Sequence, residues 1–437
     1  MLEHGQHPLT RVVISVVVKN TESKSPIKNL PGGKPLAEVL HWFFSLQPTD
    51  TKGRLDARNL LSARRIDKMG QSPGSPSMEI ATIGGWNVVV NRGRFRPGDL
   101  VLFAEPDSFL PTRIEAFRTK NHTFDYEGEW GWRVKCTKVG QQHSQGAIFR
   151  IDAIPAVSEV VKALVRHHGG LARMKEEIGQ YHFAELVGVK RWLRTPEQKE
   201  LRGQPQDFLG TARPAFVGET GARRVQNCPN LFKKAKYRNI LYQETQKMDG
   251  QAMSVYFVRK TSPAYASCNP LPLAPGRDMV HDNGRFGICS HKREVNDTLA
   301  MARFWELARV YDLPRKLAQL GRSIVIQGEL CGWGINENRH GFARGEYEWF
   351  VFDVVDVDNR GRYLRPPEAY QLAEDLGLRH VPVWNAKVTV RSAARDYEDL
   401  FKRARSTNSE GLVYKNVTDA TLRFKVINDQ YLVKHDE

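Results

Sequence analysis

The tetrapeptide Lys247-Met248-Asp249-Gly250 lies between two strand-like stretches of the chain, and the fold prediction starts from it. Tyr242 belongs to the stretch before it, and residues 253–258 (MSVYFV) form the stretch after it. Because Asp-Gly is a favoured turn pair, the sequence predicts a tight connection between two β-strands. Three fixed positions recur by chance in roughly one unrelated protein in twenty, so the tetrapeptide alone is equally well explained as an ordinary polar turn.

Composition indicates a globular protein with more than one domain. The chain has 437 residues, of which 41% are hydrophobic and 10% aromatic, and this suggests two or three domains. No uninterrupted apolar run approaches the ~20 residues that a membrane-spanning helix needs, so we expect no membrane partner. We expect no secretory signal either, because Glu3 and His4 stand where a basic leader would be.

The cysteine spacing and the net charge limit which cellular compartment and which binding partners we expect. The five cysteines form no Cys-x-x-Cys pair, so neither a zinc site nor a disulfide framework is predicted. They are Cys136, Cys228, Cys268, Cys289 and Cys331. We expect a reducing intracellular compartment, with nucleus, cytoplasm and organelle left open. The formal net charge of +16 favours a polyanionic partner such as nucleic acid.

Turn-forming residues divide the N-terminal half. Residues 1–77 are predicted to be a partly disordered extension, with a strand at 12–18, a helix at 36–46 and a Pro/Gly/Ser joint at 71–77. Residues 78–190 carry short strands separated by turns, which is typical of a small β-barrel or sandwich. The predicted elements there are strands at 80–83, 86–90, 100–103, 132–139 and 147–151, and a helix at 156–168.

The C-terminal half shows a different pattern. Residues 191–238 are polar and interrupted by Pro and Gly, as expected of a linker and interdomain segment. Residues 239–437 combine runs of strands with inserted helices, which predicts an α+β domain with antiparallel sheets. The predicted elements are strands at 241–245, 252–258, 324–330, 349–357 and 411–415, and helices at 298–307 and 367–376.

Four further segments downstream of the tetrapeptide carry polar or aromatic residues on predicted strands. Glu329 closes an apolar strand, and the pair Phe352-Asp353 lies within a β-rich run. Residues 410–415 open with Glu410 and close with a lysine. In Arg423-Phe424-Lys425 the two cations share one face of a strand, because side chains alternate with period two.

These motifs are similar, in kind and in order, to those of the covalent nucleotidyltransferases, which are the polynucleotide ligases and mRNA capping enzymes. Lys247-Met248-Asp249-Gly250 resembles the first motif, Glu329 the third, and Phe352-Asp353 the one that follows it. Glu410-Gly411 resembles the fourth motif and Lys425 the fifth. The resemblance implies an antiparallel-sheet nucleotidyltransferase domain of the ATP-grasp-like ligase kind over residues 239–437.

The resemblance also implies a role for each residue. Lys247 is the nucleophile that attacks the α-phosphorus of a nucleotide, which requires an unprotonated amine although a free lysine has a pKa of ~10.4. Positive charge from a metal, Arg423 and Lys425 is expected to lower that pKa. Asp249, Glu329 and Glu410 are expected to hold Mg²⁺ or Mn²⁺ largely through water. Phe352 is expected to stack on the purine or, equally, to belong to the core.

Three positions depart from the family pattern. Gln246 stands where many ligases have a glutamate before the nucleophile, and Arg423 stands where close relatives often have lysine. His291 stands where relatives carry an arginine that contacts the nucleotide. Lys292 or Arg293 is the candidate replacement for that arginine, and the sequence leaves the choice between them open.

Sequence segments outside the nucleotidyltransferase domain resemble RNA ligases of the Naegleria type. In that type an OB-fold domain precedes the nucleotidyltransferase domain. Residues 96–103, 107–111 and 139–146 resemble that OB domain, so that residues 78–190 are expected to be OB-fold-like. Residues 186–190 and 224–227 resemble its interdomain segments. The 12 residues that follow Lys425 (437 − 425) leave no room for the OB domain that DNA ligases and capping enzymes place there.

The resemblance therefore implies a monomeric ATP-dependent RNA ligase that seals 3′-hydroxyl and 5′-phosphate ends, as in a nicked duplex, through a lysyl-AMP intermediate. Two alternatives stay open, namely a GTP-dependent capping-type enzyme and a catalytically decayed RNA-binding protein. Six cations of the OB-like part are candidate phosphate contacts or, equally, scattered surface charge. They are Arg92, Arg94, Arg96, Arg133, Lys135 and Lys138.

Overall fold

The computed structural model describes residue 43 and residues 59–119, 122–167, 169–170, 181–193, 204–228 and 230–435. The chain forms two compact units, one ending at Trp192 and the other running on from Leu193. The strand predicted at residues 12–18 lies outside the described residues, and so does the helix predicted at 36–46 except for Phe43. Phe43 is helical and buried.

The first unit is built mainly from short strands. They are β1 (Leu61–Arg65), β2 (Lys68–Gln71), β3 (Met78–Ile83), β4 (Trp86–Asn91), β5 (Leu100–Ala104), β6 (Ser108–Pro111), β7 (Phe124–Tyr126), β8 (Glu129–Arg133), β9 (Cys136–Val139), β10 (Gln142–Gln145), β11 (Ala147–Arg150) and β12 (Lys190–Arg191). Helices α1 (Pro155–His167) and α2 (Ala184–Val187) precede β12.

These strands pair into small antiparallel sheets around apolar cores. β5 pairs with β1 on one side and with β11 on the other, and β3 pairs with β2 and β4. Every second residue of β4 is buried, which is the pattern of a strand with one face in a core. Trp86 from β4 meets Phe103 from β5 in that core, with ring centroids 5.2 Å apart. The predicted strands at 80–83, 86–90, 100–103 and 147–151 are confirmed as elements.

Two expectations for this unit are wrong. β1 and β2 lie upstream of residue 78, yet they pair with β5 and β3, so the structured unit begins before the predicted boundary. The sequence of β2 (KMGQ) has no apolar alternation, which is why the pattern does not predict it. The strand predicted at 132–139 is two strands, β8 and β9, and they belong to different sheets.

The second unit contains longer strands and more helices. The strands are β13 (Phe208–Leu209), β14 (Arg223–Arg224), β15 (Leu241–Lys247), β16 (Gln251–Arg259), β17 (Val280–His281), β18 (Gly284–Cys289), β19 (Glu294–Val295), β20 (Ile324–Gly332), β21 (Tyr347–Asp356), β22 (Arg362–Tyr363), β23 (Arg379–His380), β24 (Val383–Thr389), β25 (Gly411–Asn416) and β26 (Arg423–Ile427). The helices are α3 (Asn230–Lys233), α4 (Ala235–Arg238), α5 (Ala302–Val310), α6 (Leu313–Gln319), α7 (Pro366–Asp375), α8 (Val390–Ala393), α9 (Tyr397–Arg405) and α10 (Asp429–His435).

The larger sheet of this unit has the order β13-β19-β18-β16-β20-β21-β22, with β17 and β23 added at its margins. Alternate residues of β16, namely Met253, Val255 and Phe257, point to one face, where they pack against α5, α6 and α7. The helices predicted at 298–307 and 367–376 correspond to α5 and α7. They cover this apolar face, because the hydrophobic side of a sheet must be buried against another layer of secondary structure.

The smaller sheet has the order β14-β26-β25-β15-β24. Only the β14–β26 pair in it is parallel. One face of this sheet buries Tyr242, Tyr414 and Phe424 against Leu400 and Phe401 of α9. The prediction of an α+β domain with antiparallel sheets is therefore confirmed.

The tetrapeptide at residues 247–250 connects the two sheets, because β15 ends at Lys247 and β16 begins at Gln251. A tight connection between strands was predicted correctly, but the strands belong to different sheets and form no hairpin. A Cβ on Gly250 would collide with the carbonyl oxygen of Leu330. The glycine is therefore required by the close approach of β20 to the turn.

Within the described ranges, no helix is both long and apolar enough to span a bilayer. All five cysteines lie in the described ranges, and no disulfide joins any two of them.

Candidate functional site

Lys247 lies at the end of β15, next to the start of β25. Its register partner on that strand is Gly411, so the preceding residue, Glu410, lies beside the lysine. Lys247 Nζ donates a hydrogen bond to Glu410 Oε2, and both side chains are mostly buried. Sheet pairing thus brings together two predicted site residues that are 163 positions apart in the chain.

Gly411 makes this arrangement possible. Its φ is +148°, and a Cβ there would collide with the carbonyl oxygen of Val426 on β26. Any other residue would push β25 away from β26 and move Glu410 with it. The Glu-Gly pair predicted from the sequence therefore combines a carboxylate with the glycine that positions it.

Glu329 approaches the same turn from the larger sheet. It lies on β20 as the register partner of Ala252, and its Oε1 accepts a hydrogen bond from the Gly250 amide at 3.2 Å. Burial raises the pKa of the Glu329 carboxyl to about 7; Lys247 opposes this shift and Glu410 adds to it. The site therefore holds more negative charge than its one lysine balances.

The pKa of Lys247 moves opposite to the sequence-based expectation. Burial acts to lower it, but the carboxylates of Glu410 and Glu329 outweigh burial and hold the pKa above its ordinary value. Arg423, one of the cations expected to depress it, pairs with Asp353 instead. In this arrangement the lysine is an ammonium ion at neutral pH.

Asp249 is held by three donors. Its Oδ1 accepts from Asn336 Nδ2 at 2.7 Å, and its Oδ2 accepts from Arg339 Nη1 at 2.6 Å and from the Tyr431 hydroxyl at 2.8 Å. Burial acts to raise the pKa of Asp249, but Lys247, Arg339 and Tyr431 hold it below its ordinary value. A carboxylate has about four lone-pair positions, so roughly one remains for a water or ion.

The partners of Asp249 come from two segments that the sequence did not single out. Asn336 also donates to the Gly250 carbonyl at 2.8 Å, and His340 Nε2 accepts from the Asp249 amide at 3.1 Å. Residues 336–338 have φ of 43°, 59° and 54°, which is strained for non-glycine residues. For Asn336, Arg339 and His340 the available signal in the sequence is this polar run between β20 and β21.

Tyr431 lies on α10, and Arg339 Nη2 donates to the His435 carbonyl of the same helix at 3.0 Å. Arg405 holds the start of α10 through two hydrogen bonds of 2.7 Å to the buried Asp429. Helix α10 is therefore fastened to α9 through Asp429, to the tetrapeptide through Tyr431 and to Arg339 through its last residue, His435.

Arg423 lies away from Lys247, which corrects the expectation that it supplies charge to the nucleophile. Its guanidinium is buried and pairs with Asp353, donates to the Ala420 carbonyl at 2.6 Å and lies 4.5 Å from the Tyr363 ring centroid. Its partner on β25 is Lys415, which lies four residues along that strand from Gly411, the partner of Lys247. Its observed contacts are those of a structural residue.

A β-bulge aims Asp353 at these cations. The register between β20 and β21 shifts after the Gln327–Asp353 pair, so Phe352 has no partner and Asp353 comes to the same face as Glu329. Lys415 Nζ lies 2.9 Å from Asp353 Oδ1 and also donates to the Phe352 carbonyl. The two sheets are thereby joined by a buried carboxylate between two cations.

Phe352 is half-buried at this bulge. It packs against a small apolar cluster that contains Met248, Cys331 and Val381, and Lys415 Nζ lies 5.2 Å from its ring centroid. Because Met248 follows the nucleophile directly, the ring lies close to the tetrapeptide with part of its surface accessible. This placement suits the predicted purine stack, which stays a prediction.

Lys425 and Arg224 lie on the same face of the smaller sheet as Lys247. Lys425 is partly buried and is paired with Val413, which in turn pairs with Thr245. Arg224, which the sequence reading placed only in an interdomain segment, is buried and is the register partner of Lys425. Two cations thus lie two and three strands from Lys247 on the same face of the sheet.

The remaining predicted nucleotide contacts are Gln246 and Arg293. Gln246 pairs with Leu412, and strand alternation turns its side chain to the face opposite that of Lys247. Arg293 closes the turn between β18 and β19, where its guanidinium lies 3.5 Å from the Phe208 ring centroid. His291 and Lys292 are exposed in that turn. The roles proposed for Gln246 and Arg293 stay predictions.

The cations predicted in the first unit divide into two groups. Arg133 is internal: it donates to Asp107 Oδ1 at 2.6 and 3.1 Å and lies 3.8 Å from the Trp192 ring centroid. It is not a candidate phosphate contact. Arg92 is exposed but lies 3.9 Å from Glu79. Arg94, Arg96, Lys135 and Lys138 are exposed.

The carboxylates around Lys247 fit a divalent cation held through water. Among the described residues, no group of three or more His, Cys, Asp or Glu side chains is placed to ligate a metal directly. Glu329 and Glu410 act on the lysine from two sheets, and the raised pKa of Glu329 marks excess negative charge that a cation would relieve. Mg²⁺ prefers such oxygen donors and retains several waters.

Comparison with known families agrees with the two units. Residues 240–427 match the family model for RNA ligase, and residues 60–151 match a model for an OB-fold domain. No curated protein sequence matches the chain.

Solved structures of an RNA ligase from Naegleria gruberi have the same fold. A lysine-to-alanine mutant with ATP and Mn matches with a TM-score of 0.66 and 23% identity over 86% of this chain and 99% of that chain. A lysine-to-methionine mutant with AMP and Mn gives 0.67 and 24%, over 87% and 99%. The enzyme with PPi gives 0.66 and 24%, over 87% and 99%. The predicted order of an OB-fold domain followed by a ligase domain is confirmed.

Proposed function

We propose, because residues 240–427 match the family model for RNA ligase, that the chain is an ATP-dependent ligase that joins RNA 3′-hydroxyl and 5′-phosphate ends at nicks in a duplex. It acts as a monomer through a lysyl-AMP intermediate. The observation that carries the proposal is the buried contact between Lys247 and Glu410 at the junction of the two sheets, with Glu329 beside it.

Lys247 is the proposed nucleophile. Its amine attacks the α-phosphorus of ATP, the bond to the β-phosphate oxygen breaks, and pyrophosphate leaves while a phosphoramidate forms. The amine must first lose its proton, and Glu410 is placed to accept it because it already receives the hydrogen bond from Nζ. AMP then passes to the RNA 5′-phosphate, and the 3′-hydroxyl displaces AMP.

Glu329 and Glu410, with the remaining lone-pair position of Asp249, are proposed to hold a hydrated Mg²⁺ or Mn²⁺. When bound, such an ion supplies positive charge that favours the neutral amine and the developing charge on phosphate. Asp249 has a second role, since its bonds to Arg339 and Tyr431 hold the turn that carries the nucleophile.

Other residues of the domain are proposed to bind the nucleotide. Lys425 and Arg224 share the sheet face of Lys247 and are proposed to bind phosphate oxygens. Phe352 is proposed to stack on adenine, because it is only partly covered and lies beside Met248. ATP is proposed as the nucleotide because the ligase from Naegleria gruberi was solved with ATP and with AMP.

The first test is transfer of label from nucleotide to protein. Wild-type protein incubated with α-labelled ATP and Mg²⁺ should acquire label that survives denaturation, whereas α-labelled GTP should leave none. Lys247→Ala should abolish labelling, and Lys402→Ala, which alters an exposed lysine on α9, should label as wild type. Label from GTP alone would instead support a capping-type enzyme, and no label from either nucleotide would contradict the lysyl-AMP step.

The second test concerns the ends that are joined. A nicked duplex with an RNA 3′-hydroxyl at the nick should be sealed, and the same nick with a DNA 3′-hydroxyl should be sealed more slowly. Equal sealing of both substrates would overturn the preference for RNA. Labelling without any sealing would restrict the activity to nucleotide transfer.

A further inference from the structure

The first unit contains an open cavity of about 950 Å³ near the hairpin formed by β7 and β8. Its lining includes Trp130, the threonines Thr112, Thr119 and Thr123, and the cations Arg118 and Lys190. A volume of this order suits a small ligand or one or two nucleotide units rather than a protein surface.

Trp130 is the unusual residue of this cavity, because 61% of it is exposed. It lies on β8 three residues after Glu127, and Glu127 and Gly128 form the two-residue hairpin turn with φ of 55° and 78°. Such a turn fixes the register of the hairpin. The Thr112 amide and hydroxyl donate to the Trp130 carbonyl at 2.9 and 3.0 Å, so the backbone under the ring is held firmly.

The cavity lining has more cationic than carboxylate side chains. Both carboxylates of the lining are engaged: Glu129 lies 2.5 Å from Arg113, and Glu127 lies 3.4 Å from Lys190. Arg118 is exposed and forms no ion pair with any residue in the described part of the chain. The lining therefore carries three cations against two carboxylates, with the excess at Arg118.

An isolated exposed tryptophan is common on a protein surface, but one in a polar cavity with a surplus cation has the composition of a single-strand nucleic-acid site. Every nucleobase has an aromatic face that can stack on indole, and the adjoining phosphate needs a cation. We propose that Trp130 stacks on an unpaired RNA base while Arg118 binds the neighbouring phosphate. This inference rests on the proposed RNA ligase function and adds an RNA site outside the nucleotidyltransferase domain.

Binding of a labelled single-stranded RNA to the full-length protein, measured by fluorescence anisotropy, tests the proposal. Trp130→Ala should weaken binding by about fivefold or more, which is the scale of one lost base stack. Trp130→Phe, which keeps an aromatic face, should recover most of the affinity. Arg118→Gln should weaken binding and lower its dependence on salt. Trp384→Ala, at a tryptophan in the second unit that is 47% exposed, should bind as wild type.

Nucleotide transfer to Lys247 separates this proposal from the proposed function. Trp130→Ala should label with ATP as wild type does, so weakened RNA binding with intact labelling supports the stacking site. Wild-type RNA affinity in Trp130→Ala overturns the site while leaving the ligase activity in place. Displacement of the RNA by free AMP to the same extent in wild type and Trp130→Ala also overturns it, because the RNA would then be bound elsewhere.

Discussion

At the scale of single residues, Asp249 shows how a motif residue acquires its role. The sequence reading made it a metal ligand, and the structure gives most of its hydrogen-bonding capacity to Asn336, Arg339 and Tyr431. Hydrogen bonds to an ionised group are worth about 1.5–3 kcal/mol each, so three of them hold the turn in place. We therefore expect Asp249 to hold Lys247, the proposed nucleophile, in position.

Tyr431→Phe tests that task. Loss of the hydroxyl removes one of three bonds to Asp249 while the ring packing stays, so we expect nucleotide transfer to Lys247 to slow about fivefold, or roughly 1 kcal/mol of barrier. The rate of labelling with ATP in single-turnover conditions measures this. Tyr370→Phe, at a tyrosine that is 37% exposed on α7, should keep the wild-type rate. A wild-type labelling rate in Tyr431→Phe would show that the hydrogen bond from α10 is not required to position Asp249.

Glu329 leads to a prediction about pH. Its pKa of about 7 in the folded chain lies above the ~4.3 of an unfolded glutamate, so between these values the folded chain holds a proton that the unfolded chain has released. The free energy of unfolding must then fall as pH rises from about 4 to 7. Because the side chain is partly exposed, we expect a change on the order of 1–3 kcal/mol.

Urea unfolding at several pH values, with a chelator present, measures this slope. Glu329→Gln should flatten it, because glutamine cannot release a proton. Glu306→Gln removes an exposed glutamate on α5 and should leave the slope unchanged. Identical slopes in wild type and Glu329→Gln would contradict the raised pKa.

At the scale of secondary-structure elements, the site depends on two local irregularities in otherwise regular strands. The bulge at Phe352 turns Asp353 toward Lys415 and Arg423, and Gly411 lets β25 approach β26 so that Glu410 reaches Lys247. Bulges and glycines of this kind redirect side chains where regular alternation would send them elsewhere. The regular strands place the backbone of the site. The bulge at Phe352 and the glycine at residue 411 then determine where the carboxylates of Asp353 and Glu410 point.

Gly411→Ala tests this at one position. The methyl group would meet the Val426 carbonyl oxygen at a positive φ, so we expect a loss of about 3 kcal/mol or more in unfolding free energy and a strong decrease in labelling. Gly321→Ala is the matched control, because Gly321 has φ of +66° and open space around it. It should cost only about 1–2 kcal/mol and keep activity. An equal loss of unfolding free energy in Gly411→Ala and Gly321→Ala would show that the close approach of β25 to β26 does not matter for stability.

The element-level prediction succeeded where the pattern is local. Predicted strands such as 252–258 and 324–330 correspond to β16 and β20, because apolar side chains in a strand repeat over a few residues. It failed at β2, whose four residues have no apolar alternation, and at 132–139, where one apolar run is divided between two sheets. Strand pairing joins segments that are far apart in the chain, so a local sequence pattern does not predict it.

At the scale of the whole molecule, charge is the dominant property. A net charge of +16 means that binding of RNA should release counterions from its backbone. We expect affinity for single-stranded RNA to fall about 10- to 100-fold between 50 and 200 mM salt, as for a protein that contacts several phosphates. Labelling by saturating ATP should change much less over this range. A flat plot of log affinity against log salt would contradict an electrostatic contribution to RNA binding.

The sequence by itself predicted the candidate site residues and most of the segments that form strands. Lys247, Glu329, Glu410 and Lys425 could be named as candidates because they lie in short motifs that resemble those of a known family, and such motifs are local properties of the chain. Only the tertiary structure decided how these groups are partnered. It assigned Asp249 to Arg339 and Tyr431, 90 and 182 positions away, and Arg423 to Asp353, 70 positions away. Such contacts follow from sheet register and from one bulge, and neither is encoded in the spacing of residues along the chain.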